Sequence, residues 1–258
     1  MTIRTLAITR IDRTVADLAA SERFYIEALG FMVVENGPTH AALLAAPLLR
    51  QTTLRRGAQL IALQQRHPSG HNAPAANDQS FQHLALPVPD MNAALAQLAP
   101  FDPVAISRGG PQHLPPRSGG ATAYKFRDPD GHPLELIQFP GRARAGIDHS
   151  AIVVADVERS IAFYRDTLGF VVADRQTNTG PEQDRLDGLS GTEVEVVALQ
   201  PATPTPHLEL LAYRKPPVEV ASPDPHPATR LVLVTTGLDQ PATLIHDPDG
   251  HALILLQR

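Results

Sequence analysis

The chain contains no cysteine, which removes disulfides, thiolate zinc sites and cysteine nucleophiles together. Any metal it holds must be bound by imidazole and carboxylate. No apolar run approaches the ~18 residues needed to cross a bilayer, and the opening MTIRTLAITRI alternates like a strand and does not resemble a signal peptide. These absences predict a soluble, cytoplasmic protein with no membrane partner. The formal net charge of −5 includes no basic run and no cluster of lysine or arginine with aromatics, so nucleic acid is not expected as a partner.

What is present is an ordinary globular balance, 43% hydrophobic and 19% charged over 258 residues, enough for one large domain or two small ones. The 25 prolines concentrate in connecting stretches such as Pro201–Pro206 and Pro216–Pro227, which read as stiff linkers.

The organising feature is an internal repeat. TVADLAASERFYIEALGF and IVVADVERSIAFYRDTLGF align without a gap, matching Val15 with Val154, Asp17 with Asp156, Phe24 with Phe163, Tyr25 with Tyr164, Gly30 with Gly169 and Phe31 with Phe170. Each copy predicts strand, helix, strand. Asp17 or Asp156 can cap the helix, since a carboxylate there accepts from orphan backbone N–H groups and meets the positive end of the dipole. Val157, Ile161, Tyr164 and Leu168 form an apolar stripe at helical spacing, and Gly169 can adopt the left-handed conformation that ends the helix. Alternating runs follow: FMVVEN and QLIALQQ in the first copy, FVVADRQ, EVEVVAL and HLELLAY in the second. The unit is βαβββ.

A second pair of segments lies between and after these copies. FQHLALPVPDMNAALAQL repeats the strand and capped helix, with Asp90 as cap, and AYKFRDPDGHPLELIQ closes that unit through a DPDG turn. RLVLVTT and TLIHDPDGHALILLQ match its start and end at the C-terminus, while the intervening helix and a strand are missing. The expected fold class is α+β: four βαβββ units, the last shortened. Residues 1–140 make one domain (units 1–66 and 80–140) and residues 146–258 the other (units 146–214 and 227–258).

Paired βαβββ units, the FYxxxLGF helix end and the DPDGHxLEL hairpin resemble the vicinal oxygen chelate superfamily (glyoxalase, bleomycin resistance protein, extradiol dioxygenase) in a four-unit fused form. The resemblance covers nearly the whole chain outside the proline linkers and implies that the units form two half-barrel sheets with helices outside. It implies one ligand near the middle of each unit's first strand and one in its last strand, with two units together surrounding a divalent ion. Those positions are Arg10 and Ile61 in the first unit, His83 and Glu135 in the second, His149 and Glu209 in the third, Arg230 and Ile254 in the fourth. Units two and three carry all the plausible ligands. The expectation is therefore one metal site held by His83, Glu135, His149 and Glu209 between units two and three, and a derelict outer pocket.

Nitrogen and oxygen ligands on strands suit Fe, Mn, Ni, Co or Zn and leave positions open for substrate. Strand alternation puts Phe81, His83 and Ala85 on one face and turns Glu135 away from Leu134 and Leu136. A charged glutamate in so apolar a run is costly unless it meets a cation or donors. His132 and His251, which follow the DPDG turns, read as turn-capping surface residues, and turn chemistry accounts for Asp128, Asp130, Asp247 and Asp249. Arg10 and Arg230 read as markers of a dead site or as anion clamps. Tyr124, Arg117, Asn178 and Gln183 lie around the inner cup, facing substrate or solvent.

By resemblance, the His/Glu/His/Glu set points to the lyase and isomerase branch, with Glu135 or Glu209 as the catalytic base. A ring-cleaving Fe(II) dioxygenase would take ligands from the third and fourth units, where Arg230 and Ile254 stand instead. Tyr213, four residues after Glu209, replaces the asparagine usual in glyoxalase I, which counts against glutathione. The leading expectation is a divalent-metal lyase or isomerase for a small oxygen-chelating substrate. The alternatives are an Fe(II) dioxygenase and a non-catalytic small-molecule binding or resistance protein. The chain would act as a monomeric pseudo-dimer or as a homodimer.

Overall fold

The computed structural model describes residues 3–34, 43, 47–66, 73–141, 144–220 and 228–258. The end of the FMVVEN run, most of Pro216–Pro227 from residue 221 on and the side chain of Arg117 lie outside them.

The first unit comprises β1 (Arg4–Val15), α1 (Leu18–Arg23), β2 (Met32–Val34), β3 (Arg50–Arg56) and β4 (Gln59–Gln65). The second has β5 (Gln82–Pro87), α2 (Met91–Leu98), β6 (Gln112–His113), β7 (Thr122–Arg127) and β8 (Pro133–Gln138). The third runs β9 (His149–Val153), α3 (Val157–Ala162), β10 (Val171–Thr179), α4 (Pro181–Asp187), β11 (Glu193–Gln200) and β12 (His207–Lys215). The shortened fourth keeps β13 (Thr229–Thr236), β14 (Ala242–His246) and β15 (Ala252–Gln257).

The expected caps are in place. Asp17 accepts from the Ala19 and Ala20 amides, Asp90 from Asn92 and Ala93, and Asp156 from Arg159. Gly30 and Gly169 both take φ +71° where their helices end. Two features go beyond the expected elements. The helices of units one and three finish as π-helical turns, Phe24–Ala28 and Phe163–Thr167, which widen the backbone around the repeated tyrosines. α4 is an addition that periodicity did not reveal, because seven residues opened by Pro181 and closed by Gly188 (φ +67°) carry too few turns for an apolar stripe.

The strands form two curled sheets in an α+β fold. One has seven strands in the order β14-β15-β13-β1-β4-β3-β2, the other eight in the order β10-β11-β12-β9-β5-β8-β7-β6. Unit one therefore shares a sheet with unit four, and unit two with unit three, so each sheet draws strands from both ends of the duplication. β5 and β9 meet antiparallel at the centre of the eight-stranded sheet, as β1 and β13 do in the other.

Alternation sorts the faces. Leu84, Leu86, Leu134, Leu136, Ile152, Leu208 and Leu210 join one buried cluster with Phe24, Tyr25 and Tyr164, whereas Ala151, Val194, Val196 and Tyr213 belong to a separate one. The concave face is thus free for polar chemistry. Among the described residues no helix is long and apolar enough to cross a membrane.

The DPDGH motifs do more than turn the chain, and His132 and His251 are buried, not surface residues. The Asp128 carboxylate accepts from the Asp130 and His132 amides and from the Tyr25 hydroxyl at 2.7 Å; Asp130 accepts from Ser21 and from the Ala16 amide. His132 Nε2 lies 2.7 Å from the Thr14 carbonyl. The same clasp recurs in the second half, with Tyr164 donating to Asp247 at 3.0 Å, Ser160 to Asp249, and His251 Nε2 lying 2.9 Å from the Val153 carbonyl. Each hairpin grips the helix start of the unit before it in sequence, which ties the two sheets together.

Candidate metal centre

Register sets the site on the concave face of the eight-stranded sheet. Reading across one row, His207 of β12 pairs with His149 of β9, His149 with Ala85 of β5, Ala85 with Glu135 of β8, and Glu135 with Lys125 of β7. In the adjacent row, Glu209 pairs with Ala151 and Ala151 with His83. Two alanines therefore sit between the larger side chains. Having no atoms beyond Cβ, Ala85 and Ala151 leave the floor open for their neighbours to lean together.

They do lean together. One ligand atom from each of His83, Glu135 and His149 lies within 4.8 Å of the others, a grouping able to hold a metal ion. Glu135 Oε2 is 2.9 Å from His83 Nε2 and 3.7 Å from His149 Nε2. Glu209 stands at the edge of this group: its Oε2 is 3.5 Å from His149 Nε2, and its Oε1 is 3.3 Å from His207 Nε2. Its side chain is 20% exposed, against 6% for Glu135. Asp148 Oδ2, 3.1 Å from His149 Nδ1, holds that ring by its far nitrogen.

The buried nitrogens are short of partners. Neither ring nitrogen of His83, nor His149 Nε2, has a hydrogen bond among the described residues, although Glu135 is close. Its oxygen lies off the line a hydrogen bond to His83 requires and too far from His149 to form one. Burial, assisted by Lys125, pulls the His83 pKa down to about 4 and keeps the ring neutral. Burial also works to lower His149, but Glu209, Asp148 and Glu135 outweigh it and hold that imidazole well above its ordinary value. Glu135 is held well below the usual carboxylate range because His149, His83 and Lys125 overcome the cost of its burial. The cluster sets the negative charge of Glu135, with Glu209 beside it, against a neutral His83 and a His149 whose positive charge those carboxylates favour, a balance in which a bound cation could take the place of the His149 proton.

A cavity of about 450 Å³ opens over these groups. Asn178 and Gln183 line it; Tyr124 does not. Tyr124 pairs with Leu136, shares the convex face and stacks on Phe126 at 5.7 Å, so its expected place at the cup is corrected by one residue of alternation to Lys125. Sequence reasoning also passed over His207, Asp148, Asp187 and Ala151. His207 was detectable by the i±2 rule from Glu209 and Lys125 by its place opposite Glu135 across the DPDG hairpin, whereas Asp187 comes from the added helix.

The equivalent rows of the seven-stranded sheet carry other chemistry. Arg10 and Arg230 occupy the two imidazole positions and Ile254 one carboxylate position. The remaining carboxylate position is Ala62, opposite Asp12, and not Ile61, which pairs with Ile11 and turns into the core. Val232 and Asp12 replace the two alanines. Arg10 is bonded to Asp12 at 2.5 and 2.9 Å, and Arg230 to Thr14 and Gln64.

Comparison with known proteins agrees with this architecture. A family model described as Glyoxalase/Bleomycin resistance protein/Dioxygenase superfamily matches residues 7–136 and 146–255. The fold is similar to that of glyoxalase I from Zea mays, at 17% identity and a TM-score of 0.67 over 99% of this chain and 92% of that one. It is also similar to a protein described as "putative dioxygenase" from Bacillus subtilis, at 12% identity and a TM-score of 0.61 over 98% and 86% of the two chains. No curated protein sequence matches the chain.

Proposed function

The chain belongs to the Glyoxalase/Bleomycin resistance protein/Dioxygenase superfamily, and from its concave site we propose that it is a divalent-metal-dependent lyase or isomerase acting on a small oxygen-chelating substrate. The observation that carries this reading is the convergence of His83, Glu135 and His149 within 4.8 Å, with Glu209 alongside. The residues fit a cation: His83 Nε2 and His149 Nε2, both buried without a hydrogen bond, and the Glu135 carboxylate close to each are an arrangement a divalent ion would satisfy.

When bound, such an ion polarises a substrate oxygen and stabilises the negative charge that develops on it. The protein's part follows from its own geometry. His83 and His149 present Nε2, the latter fixed in tautomer by Asp148, and Glu135 anchors the centre of the set. Glu209 is the more exposed carboxylate and is held through Oε1 by His207, so its Oε2 is the atom assigned to take a proton from the substrate carbon and return it. The cavity above admits a small molecule and is walled by Leu114, Ile137, Val194 and Leu211, which limit water at the reacting carbon.

Metal analysis of untagged protein tests the reading: about one equivalent is expected in the native chain and none in the His149→Ala/Glu209→Ala double variant. A double variant that retains its equivalent would defeat it. One observation favours a second reading. The tight group is two imidazoles and one carboxylate, the set typical of Fe(II) oxygenases. Dioxygen uptake by the Fe(II)-loaded protein in the presence of catechols would establish that alternative and displace Glu209 from the role of base.

A further inference from the structure

Two permanent cations of the protein line the cavity: Arg144, which is bonded to Asp148 and lies over the Phe139 ring, and Lys125. Lys125 is 4% exposed, pairs across strands with Glu135 on the same concave face, and lines the cavity beside His83 and Glu135. Its ammonium donates to Asp187 Oδ1 at 2.7 Å; among the described residues that is the only hydrogen bond it makes. An ammonium has three donors, so two remain for something in the cavity.

The surroundings are built around this lysine. Asp187 closes α4, the helix that stands outside the repeat pattern, and its other oxygen accepts from Tyr213 at 2.9 Å and Gln183 at 2.7 Å. Ser107 bridges the joint: its hydroxyl accepts from the Lys125 amide of β7 and donates to the Leu186 carbonyl. Gly188, which ends α4, sits so close to Ile106 that a Cβ would lie 2.6 Å from its carbonyl oxygen. An added helix is thus locked against the strand that carries Lys125. A buried ion pair alone is a poor reason for such construction, since apolar residues of similar volume usually stabilise as well or better.

We infer that Lys125 recognises an anionic oxygen group of the substrate, so that the substrate class is a chelating compound bearing a carboxylate or comparable anion beyond the two oxygens given to the metal. This rests on the metal reading above. Lys125 is then a specificity-determining residue, with Asp187, Tyr213 and Gln183 fixing its position and leaving two N–H groups toward the cavity.

The test compares two chelators of Co(II)-loaded protein, followed through the Co(II) absorption spectrum. Glycolate offers a hydroxyl and one carboxylate; tartronate offers the same pair and a second carboxylate. The tartronate-to-glycolate affinity ratio should fall about tenfold from the native chain to Lys125→Met, the weight of one charge-assisted hydrogen bond. Lys125→Met/Asp187→Asn, which leaves no buried carboxylate stranded, should show the same fall, and Co(II) uptake reports that either variant is folded. A ratio unchanged within about twofold in a variant that takes up Co(II) overturns the assignment of Lys125 and leaves the metal reading standing. A native chain that takes up no Co(II) overturns both.

Discussion

The two sheets share strand order at their centres, helix caps and hairpins, yet their concave faces oppose each other chemically. The eight-stranded sheet sets His83, Glu135, His149 and Glu209 around Ala85 and Ala151. The seven-stranded sheet sets Arg230, Ile254, Arg10 and Ala62 around Val232 and Asp12. Arg230 makes no hydrogen bond to a carboxylate among the described residues, and burial, with Arg66 and Arg10 adding to it against Asp12, lowers its pKa to about 10. The backbone of a duplicated fold tolerates either set because the convex faces carry the core; a handful of concave positions then determines which charged groups face each cup.

The largest effect expected is the one that would break this contrast. Glu135→Ala or His149→Ala should lower metal affinity by more than about a hundredfold, whereas Arg10→Ala and Ile254→Ala should leave metal content unchanged. Element analysis of the four purified variants measures it, and metal lost from an outer-sheet variant would contradict the division of roles.

Acid stability comes next in size and belongs to the junction between the sheets. Burial, with Arg13 and Arg230 adding to it against Asp128 and Thr14, lowers the His132 pKa from 6.5 to about 4. Between those values the unfolded chain binds the proton and the folded chain does not. The stability is therefore complete above about pH 6.5 and falls as the pH drops toward 4, by on the order of 3 kcal/mol. Urea unfolding at a series of pH values should show this slope in the native chain and a shallower one in His132→Gln; parallel slopes would count against it.

A smaller change separates positioning from ligation. Asp148→Asn keeps a partner for His149 Nδ1 but removes the charge, and should weaken metal binding by about 10- to 100-fold without abolishing it. Competition with a metal-sensitive dye would read the loss, and an affinity equal to that of the native chain would remove Asp148 from the site.

The two clasps allow the finest comparison. The Tyr25 hydroxyl accepts from Arg13 at 2.6 Å and donates to Asp128 at 2.7 Å, while Tyr164, among the described residues, bonds to Asp247 alone, at 3.0 Å. Tyr25→Phe should cost about 2–3 kcal/mol and Tyr164→Phe about 1–2 kcal/mol. Denaturant midpoints of the pair decide it, and equal costs would mean that Arg13 contributes nothing through the tyrosine.

Much of the fold was legible because its evidence is local or periodic. Capping aspartates, helix-ending glycines and alternating strands act within a few residues, and a gapless duplication shows them twice. The candidate ligands were visible by the same means: a histidine or glutamate between leucines must face away from them. What went astray did so by single residues or single elements. Tyr124 was chosen where its neighbour Lys125 faces the cup, and Ile61 where Ala62 does, because a one-residue shift along a strand exchanges its faces. His132 and His251 were placed at the surface because their partners, the Thr14 and Val153 carbonyls, lie about a hundred residues away in sequence.

By itself the sequence determined the four units, their caps and turns, the family resemblance and the identity of the groups available for coordination, since each depends on short-range spacing. Only the tertiary structure decided which units share a sheet, which side chains meet and what fills the space between them. Those outcomes hang on register between strands distant in the chain, where the pairing of Ala85 with His149 and Glu135, or of Val232 with Arg10 and Ile254, makes the difference between an open floor and a filled one.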